Sequence, residues 1–350
     1  MWTEPLRLIL AAALLAAMTS GAGTETLRVR TWVRVPEDVI RQFRRETGVD
    51  VRLMATIEEP LTPRPGGRPG VDLFQLSPND PAGPKRIVGA YKPLDLSRIR
   101  TDLFIPSLWE ATRRKMTFGG KVYGVPAYWE TDGLVVNVKA APTLADYPGL
   151  CDPGLAGRTA LSDGSAMLAS FAFSGGQDPF AAYGDPQAYA AIMDRVGAGL
   201  APCKAIVKRF TVVHDIPEAL RSGAIVAAMV GQDVGLGLAA ENASFKFIVP
   251  KSTSPGWIHT YVILRGSRKD RAAYQWINFT MRPEIAGRLA SAGLLPASSG
   301  FDAFMDSRLK RLFAESFPDG VIDGIRWFPD RPEAIQDIDV RLLDRLDEIR

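Results

Sequence analysis

Two histidines, His214 and His259, and two cysteines, Cys151 and Cys203, make up the chain's whole supply of imidazole and thiol. A metal site built from them would need close Cys/His spacing, which is absent, so no metal and no other cofactor is expected. No Gly-x-Ser-x-Gly turn, His-Glu-x-x-His helix, Gly-x-x-x-x-Gly-Lys phosphate loop or Cys-His nucleophile arrangement occurs either. The carboxylate pairs Glu58/Glu59 and Asp337/Asp339 do not fall at predicted strand ends, where an acid–base pair would be expected. The chemistry left is non-covalent: tryptophan faces, carboxylates and a lone histidine, which can hold a small molecule without converting it. The chain is therefore read as a binding protein and not as an enzyme.

The N-terminus sets the compartment. Arg7 supplies a positive start, Leu8 to Met18 is an apolar run of 11 residues, and Ser20-Gly21-Ala22 offers small residues for cleavage. That run falls short of the roughly 20 residues needed to span a bilayer. Residues 1–22 are read as a signal peptide and the protein as soluble and periplasmic. The first cysteine is Cys151, so lipid attachment at the new N-terminus is not expected. In an exported chain two cysteines favour one disulfide, and Cys151–Cys203 would close a loop of about 50 residues, contributing roughly 4 kcal/mol.

The elements that must position the binding residues come from the periodicity. Leu27 to Trp32 reads as a strand. Val39, Ile40 and Phe43 then form a helical stripe that Gly48 stops, and a second strand runs from Val49 to Met54. Val71 to Leu76 is a buried strand ending at Ser77-Pro78-Asn79-Asp80, after an exposed Pro/Arg/Gly-rich loop from Pro60 to Gly70. Tyr123–Pro126 and Leu134–Asn137 are further strands. Thr159–Ser162, Ile225–Val230 and Phe245–Pro250 alternate with helices, among them Ala166–Phe173 and Ile216–Arg221. Tyr261–Leu264 is a strand, followed by helices at Ala272–Met281 and Glu284–Ala290. Ile335, Ile338, Leu342, Leu346 and Ile349 share one face of a terminal helix. The class is α/β, and the 350 residues exceed what one core usually supports, so two domains are expected. A net charge of +3, with Lys and Arg scattered, excludes a nucleic-acid surface.

Taken in order, Leu27 to Met54, Asp72-Leu73, Tyr123-Gly124-Val125-Pro126-Ala127-Tyr128-Trp129-Glu130-Thr131-Asp132-Gly133-Leu134, Leu220-Arg221-Ser222-Gly223 and Trp276 to Ala286 resemble the periplasmic solute-binding proteins of the spermidine/putrescine type. The resemblance covers most of the mature chain. It implies a two-domain periplasmic binding protein fold of type II, each domain a sheet flanked by helices, with the ligand in a cleft between them. Domain 1 would comprise residues 25–134 plus 256–350, and domain 2 residues 135–255. The implied partners are a small-molecule ligand and the permease subunits of an ABC importer, with the protein acting as a monomer. Presentation of the ligand to a membrane sensor would use the same cleft. A ferric-ion binder of this architecture would carry adjacent tyrosines, and no Tyr-Tyr pair occurs.

The resemblance also nominates the ligand contacts. Trp32, Trp257 and Ser77 match cleft positions, and Asp233 matches an acidic position found in part of the family. Departures accompany them. Arg34 lies in a segment lacking the usual polar and tyrosine side chains, and Asn79 stands where an aromatic is usual. Val230 stands where a tryptophan would cap the ligand. Asp163 is left as the acid near Gly164 and Met167, and His259 replaces an aspartate. A polyamine or related amine remains one reading, with Asp163, Glu130 and Asp132 meeting an ammonium. An anionic or zwitterionic solute is the other, because His259 and Arg34 shift the cleft toward positive. Trp129, Trp276 and Trp327 are expected to be packing residues.

Overall fold

A computed structural model describes residues 25–31, 34–54, 70–76, 84–208, 215–251 and 253–349. The leader, Trp32, most of the Pro60–Gly70 loop, Ser77, Asn79 and His214 lie outside them.

The chain opens with β1 (Glu25–Arg30), α1 (Glu37–Thr47) and β2 (Val49–Met54), and β1 and β2 pair in parallel. Helix α1 forms because its apolar residues fall on one face, with Glu37 and Asp38 in its first turn and Arg44 and Arg45 in its last. Both charge sets oppose the helix dipole. Gly48 ends the helix at φ 71°, its N–H donating to Arg44 O at 2.9 Å, a left-handed stop that favours glycine. Phe43 is fully buried and meets Trp276 edge-on, with ring centres 5.0 Å apart.

Strand β3 (Leu73–Leu76) adds to β1, followed by α2 (Pro84–Ala90) and α3 (Pro106–Met116). A small hairpin, β4 (Thr117–Phe118) and β5 (Lys121–Val122), leads into β6 (Val125–Asn137). β7 (Thr159–Ala160), α4 (Ser165–Ser174), α5 (Pro186–Ile206), α6 (Ile216–Arg221), β8 (Ala227–Gly231), α7 (Gln232–Glu241) and β9 (Phe245–Ile248) come next. The chain returns along β10 (Pro255–Ile263) to α8 (Asp270–Thr280) and α9 (Pro283–Ser291). It closes with β11 (Leu295–Pro296), α10 (Ser307–Ser316), α11 (Val321–Gly324), β12 (Arg326–Trp327) and α12 (Glu333–Asp347).

The main sheet runs β2-β1-β3-β10-β6-β8-β7, and β6 is its axis. The predicted strands at Tyr123–Pro126 and Leu134–Asn137 are the two ends of this one element. Its first half pairs antiparallel with β10 up to Thr131. From Asp132 onward it pairs with β8, and from Leu134 with β9. One core lies around β1, β3, α1 and α8, another around α4, α5 and the second half of β6. A third, containing Trp129, Val135, Phe247 and Phe317, backs both halves of β6. The α/β class and the two-lobed plan expected from the sequence are those observed. Trp129 and Trp276 are core residues, and Trp327 packs edge-on against Trp129 at 5.9 Å.

Helix α12 packs on α5, burying Ile335, Leu342 and Leu346 among Tyr189, Met193 and Val196. Gly197 permits the close approach, because a Cβ there would lie 2.7 Å from Leu342 Cδ1. Polar ties flank the seam. Tyr189 donates to the buried Asp339 at 2.5 Å, and Arg331 donates to the same carboxylate at 3.0 Å. Burial raises the Asp339 pKa, against the lowering effects of those two donors. Asp339→Ala removes the acceptor that Tyr189 and Arg331 share and leaves the buried Tyr189 hydroxyl without its bond. It is expected to lower stability by about 1–2 kcal/mol, measured by urea unfolding; an unchanged midpoint would remove this tie from the account.

The disulfide joins Cys151 to Cys203, with Cα atoms 4.7 Å apart, linking the turn before β7 to α5. No helix among the described residues is long and apolar enough to cross a membrane, and none of their His, Cys, Asp and Glu side chains group into a metal site.

Candidate functional site

Side chains alternate across a strand, so β6 aims Tyr128, Glu130 and Asp132 to one face while β10 aims Trp257, His259 and Tyr261 to the same face. The register confirms the pairing: Glu130 lies opposite Trp257 and Tyr128 opposite His259. The stripe continues to Gln75 on β3, which is opposite Tyr261 and accepts from Thr31. A polar file therefore crosses the sheet where β6 changes partners.

Glu130 is its centre. It accepts from the Trp257 indole N–H, and His259 Nε2 lies 3.2 Å from its Oε2. That distance is within ion-pair range, but among the described residues neither ring nitrogen of His259 has a partner in hydrogen-bond geometry, although the residue is 5% exposed. Burial pushes the Glu130 pKa up, and the contacts from His259 and Trp257 outweigh it, leaving the carboxyl below its ordinary value.

Asp132 behaves in the opposite way. It is 8% exposed, and its carboxyl makes no hydrogen bond among the described residues. Burial first, then the negative charges of Glu130 and Asp233, raise its pKa to about 7. Asp233 arrives from the first turn of α7 because β8 pairs Gly231 with Asp132. A Cβ at Gly231 would lie 2.9 Å from Asp233 Oδ1 and 3.8 Å from Asp132 Oδ1. Glycine there leaves the two carboxylates room beside each other.

The backbone under the cluster is fixed. Gln232 Oε1 accepts from Thr131 N at 2.8 Å, and Thr131 Oγ1 donates to Pro255 O at 2.7 Å. Tyr147 donates to Asp132 O at 2.8 Å and lies 2.8 Å from Ser254 Oγ. These bonds join β6 to the stretch before β10, so both strands that cross the sheet are held where the carboxylates sit. Burial raises the Tyr147 pKa, keeping it a neutral hydroxyl that can donate.

Of the residues nominated from sequence, the structure brings Trp257 and His259 together on Glu130, with Asp233 beside Asp132. Asp163 instead faces Lys204 Nζ at 2.7 Å, which also meets Asp347 of α12 at 3.2 Å. Arg34 is exposed after β1. Trp32, Ser77 and Asn79 lie outside the described residues. Sequence reasoning passed over Phe328 and Phe180. Phe328 lies 6.3 Å from the Trp257 ring and 4.7 Å from Phe180. The two are far apart in the chain and neither belongs to a periodic stripe, so no sequence signal joined them.

The site can accept positive charge from a bound molecule, hold an apolar stem against aromatic rings, and donate from His259. The sequence matches the family of bacterial extracellular solute-binding proteins over residues 39–308. Among solved structures, the fold is similar to the spermidine/putrescine ABC transporter substrate-binding protein PotD of Streptococcus pneumoniae, with a TM-score of 0.76 and 17% identity over 92% of this chain and 98% of that one. It is also similar to the Atu4243-GABA receptor, at 0.64 and 14% over 92% and 97%. A solute-binding protein of Thermotoga lettingae bound with alpha-D-tagatose scores 0.69 at 13% over 93% and 95%. At such identities the likeness is one of fold.

Proposed function

Because this chain belongs to the bacterial extracellular solute-binding proteins, which bind a small ligand for an ABC importer, we propose that its solute carries an ammonium group captured at Glu130, Asp132 and Asp233. The observation that carries this reading is Asp132, a buried carboxyl with no counter-charge among the described residues and with the negative charges of Glu130 and Asp233 beside it. Burying a charge without a counter-charge is costly, and a ligand cation supplies that counter-charge. Trp257 and Phe328 offer faces to the carbon stem, in keeping with cation–π and apolar contact. Trp32, Ser77 and Asn79 complete the cleft in this reading, and Arg34 borders it.

Strand β6 acts as the hinge between the lobes. In this reading the lobes divide where β6 changes partners, at Thr131/Asp132, and α12, which packs on α5, moves with the second lobe. A solute touching both halves of β6 would favour closure by its contacts with each. The closed monomer then docks on permease subunits from the periplasm, into which a leader at residues 1–22 has exported it. A zwitterionic solute is the second reading, favoured by the unsatisfied ring nitrogens of His259, which could serve a ligand carboxylate on the same face.

Thermal-shift screening against amines, amino acids, carboxylates and phosphonates tests the proposal. The largest stabilisation is expected from compounds bearing an ammonium. Trp257→Ala should abolish that shift and leave the unliganded melting temperature within a few degrees of wild type, since the ring is partly exposed. An unchanged ligand shift in this variant would remove Trp257 from the site.

A further inference from the structure

The opposite face of β10 carries a second feature. Ile258 and Thr260, which alternate with Trp257 and His259, border a half-open pocket of about 280 Å³ walled by the C-terminal half of α3 and by the segment Trp327–Asp330. The sheet stands between this space and the carboxylates of β6, and the two regions meet at Phe328, which lines this space and lies 6.3 Å from the Trp257 ring.

We propose that the cavity is an accessory binding site for a small carboxylate with an apolar body, of the size and shape of benzoate. Its volume gives room for about nine water-sized groups. The walls fit the two ends of such a molecule. Ile258, Trp327, Phe328 and Pro329 supply an apolar surround, while three cations at the end of α3 meet two acids: Lys115 Nζ lies 2.7 Å from Asp330 Oδ1, and Arg113 and Arg114 share Glu110 at 3.1 and 3.5 Å. The rim therefore holds a surplus of positive charge. Inside, Thr112 is 2% exposed and its Oγ1 has no hydrogen-bond partner among the described residues. A buried hydroxyl in that state costs free energy, and a carboxylate oxygen would satisfy it as Lys115 moves to share its charge between ligand and Asp330.

The location also gives the site a consequence. The segment on its far wall joins β12 to α12 and is tied at both ends, by Arg326 to Asp178 at 2.8 Å and by Asp330 to Lys115. A guest touching α3 and this strap braces one of the connections between the lobes, so it would change affinity for the cleft solute and be changed equally in return. That coupling rests on the proposed closure of the lobes. Occupancy of the cavity does not.

Titration calorimetry of the whole protein with benzoate, without any amine, tests the site. One molecule is expected to bind, with Lys115→Gln weakening it about tenfold. Thr112→Val is expected to weaken it several-fold, and Thr112→Ser to retain wild-type affinity. Asp132→Asn and Asp233→Asn should bind benzoate as wild type does, which separates this site from the cleft whatever the cleft binds. Far-ultraviolet circular dichroism verifies that each variant is folded, and methyl shifts of Ile258 on titration give a second readout in wild-type protein. Absence of binding, loss of binding in the two cleft variants, or indifference to Lys115→Gln and Thr112→Val would each overturn the proposal.

Discussion

Asp132→Asn is expected to stabilise the unliganded protein by about 4 kcal/mol at pH 8 while abolishing capture of an amine. The sign follows from the raised pKa. A carboxyl that titrates near 7 when folded and near its ordinary value when unfolded binds more protons in the folded state. Its stabilising contribution is complete below the unfolded pKa, near 4, and is lost as pH rises through 7. Asparagine mimics the protonated form at every pH, so the gain is largest above 7 and vanishes near 4. Urea unfolding at pH 4, 6 and 8 measures it. A variant equal to or less stable than wild type at pH 8 would mean that Asp132 already has a counter-charge. Stability and function pull in opposite directions here, as expected where a site keeps a charge for its ligand.

Removing the disulfide has an effect of comparable size and a different character. Cys151→Ser with Cys203→Ser should lower stability by about 4 kcal/mol, because the cross-link closes a loop with a sequence separation of 52. Both cysteines stand in the core built on α4 and α5. The loss should therefore fall on that lobe and leave any ligand-induced shift in melting temperature in place. Unfolding with and without reductant measures it. Equal midpoints, or two reactive thiols in unreduced protein, would contradict the assignment.

The contrast between these three residues and the rest shows what could be read from the chain. The opening βαβ unit was legible because Val39 and Phe43 repeat at helical spacing and Gly48 marks the stop. The terminal helix was legible from Ile335, Leu342 and Leu346, but not its seat on α5, since a stripe says that a face is buried and not against what. β6 was misread as two strands because Glu130, Thr131, Asp132 and Gly133 interrupt the apolar run. Those residues mark the point at which the strand changes partners, so local polarity there marks a change of pairing and not a turn. Trp257 and His259 were found through family resemblance alone. Their meeting with Glu130, and that of Asp132 with Asp233, depend on strand register between segments about a hundred residues apart, which no local pattern encodes.

The most direct test of amine capture is calorimetric titration with 1,4-diaminobutane from pH 5 to pH 8. Below pH 7 the ammonium must displace the proton from Asp132, so affinity should rise with pH by up to about tenfold per unit and level off above 7, with proton release on binding at the acid end. No binding at any pH, or binding that is independent of pH and survives Asp132→Asn, would contradict the account.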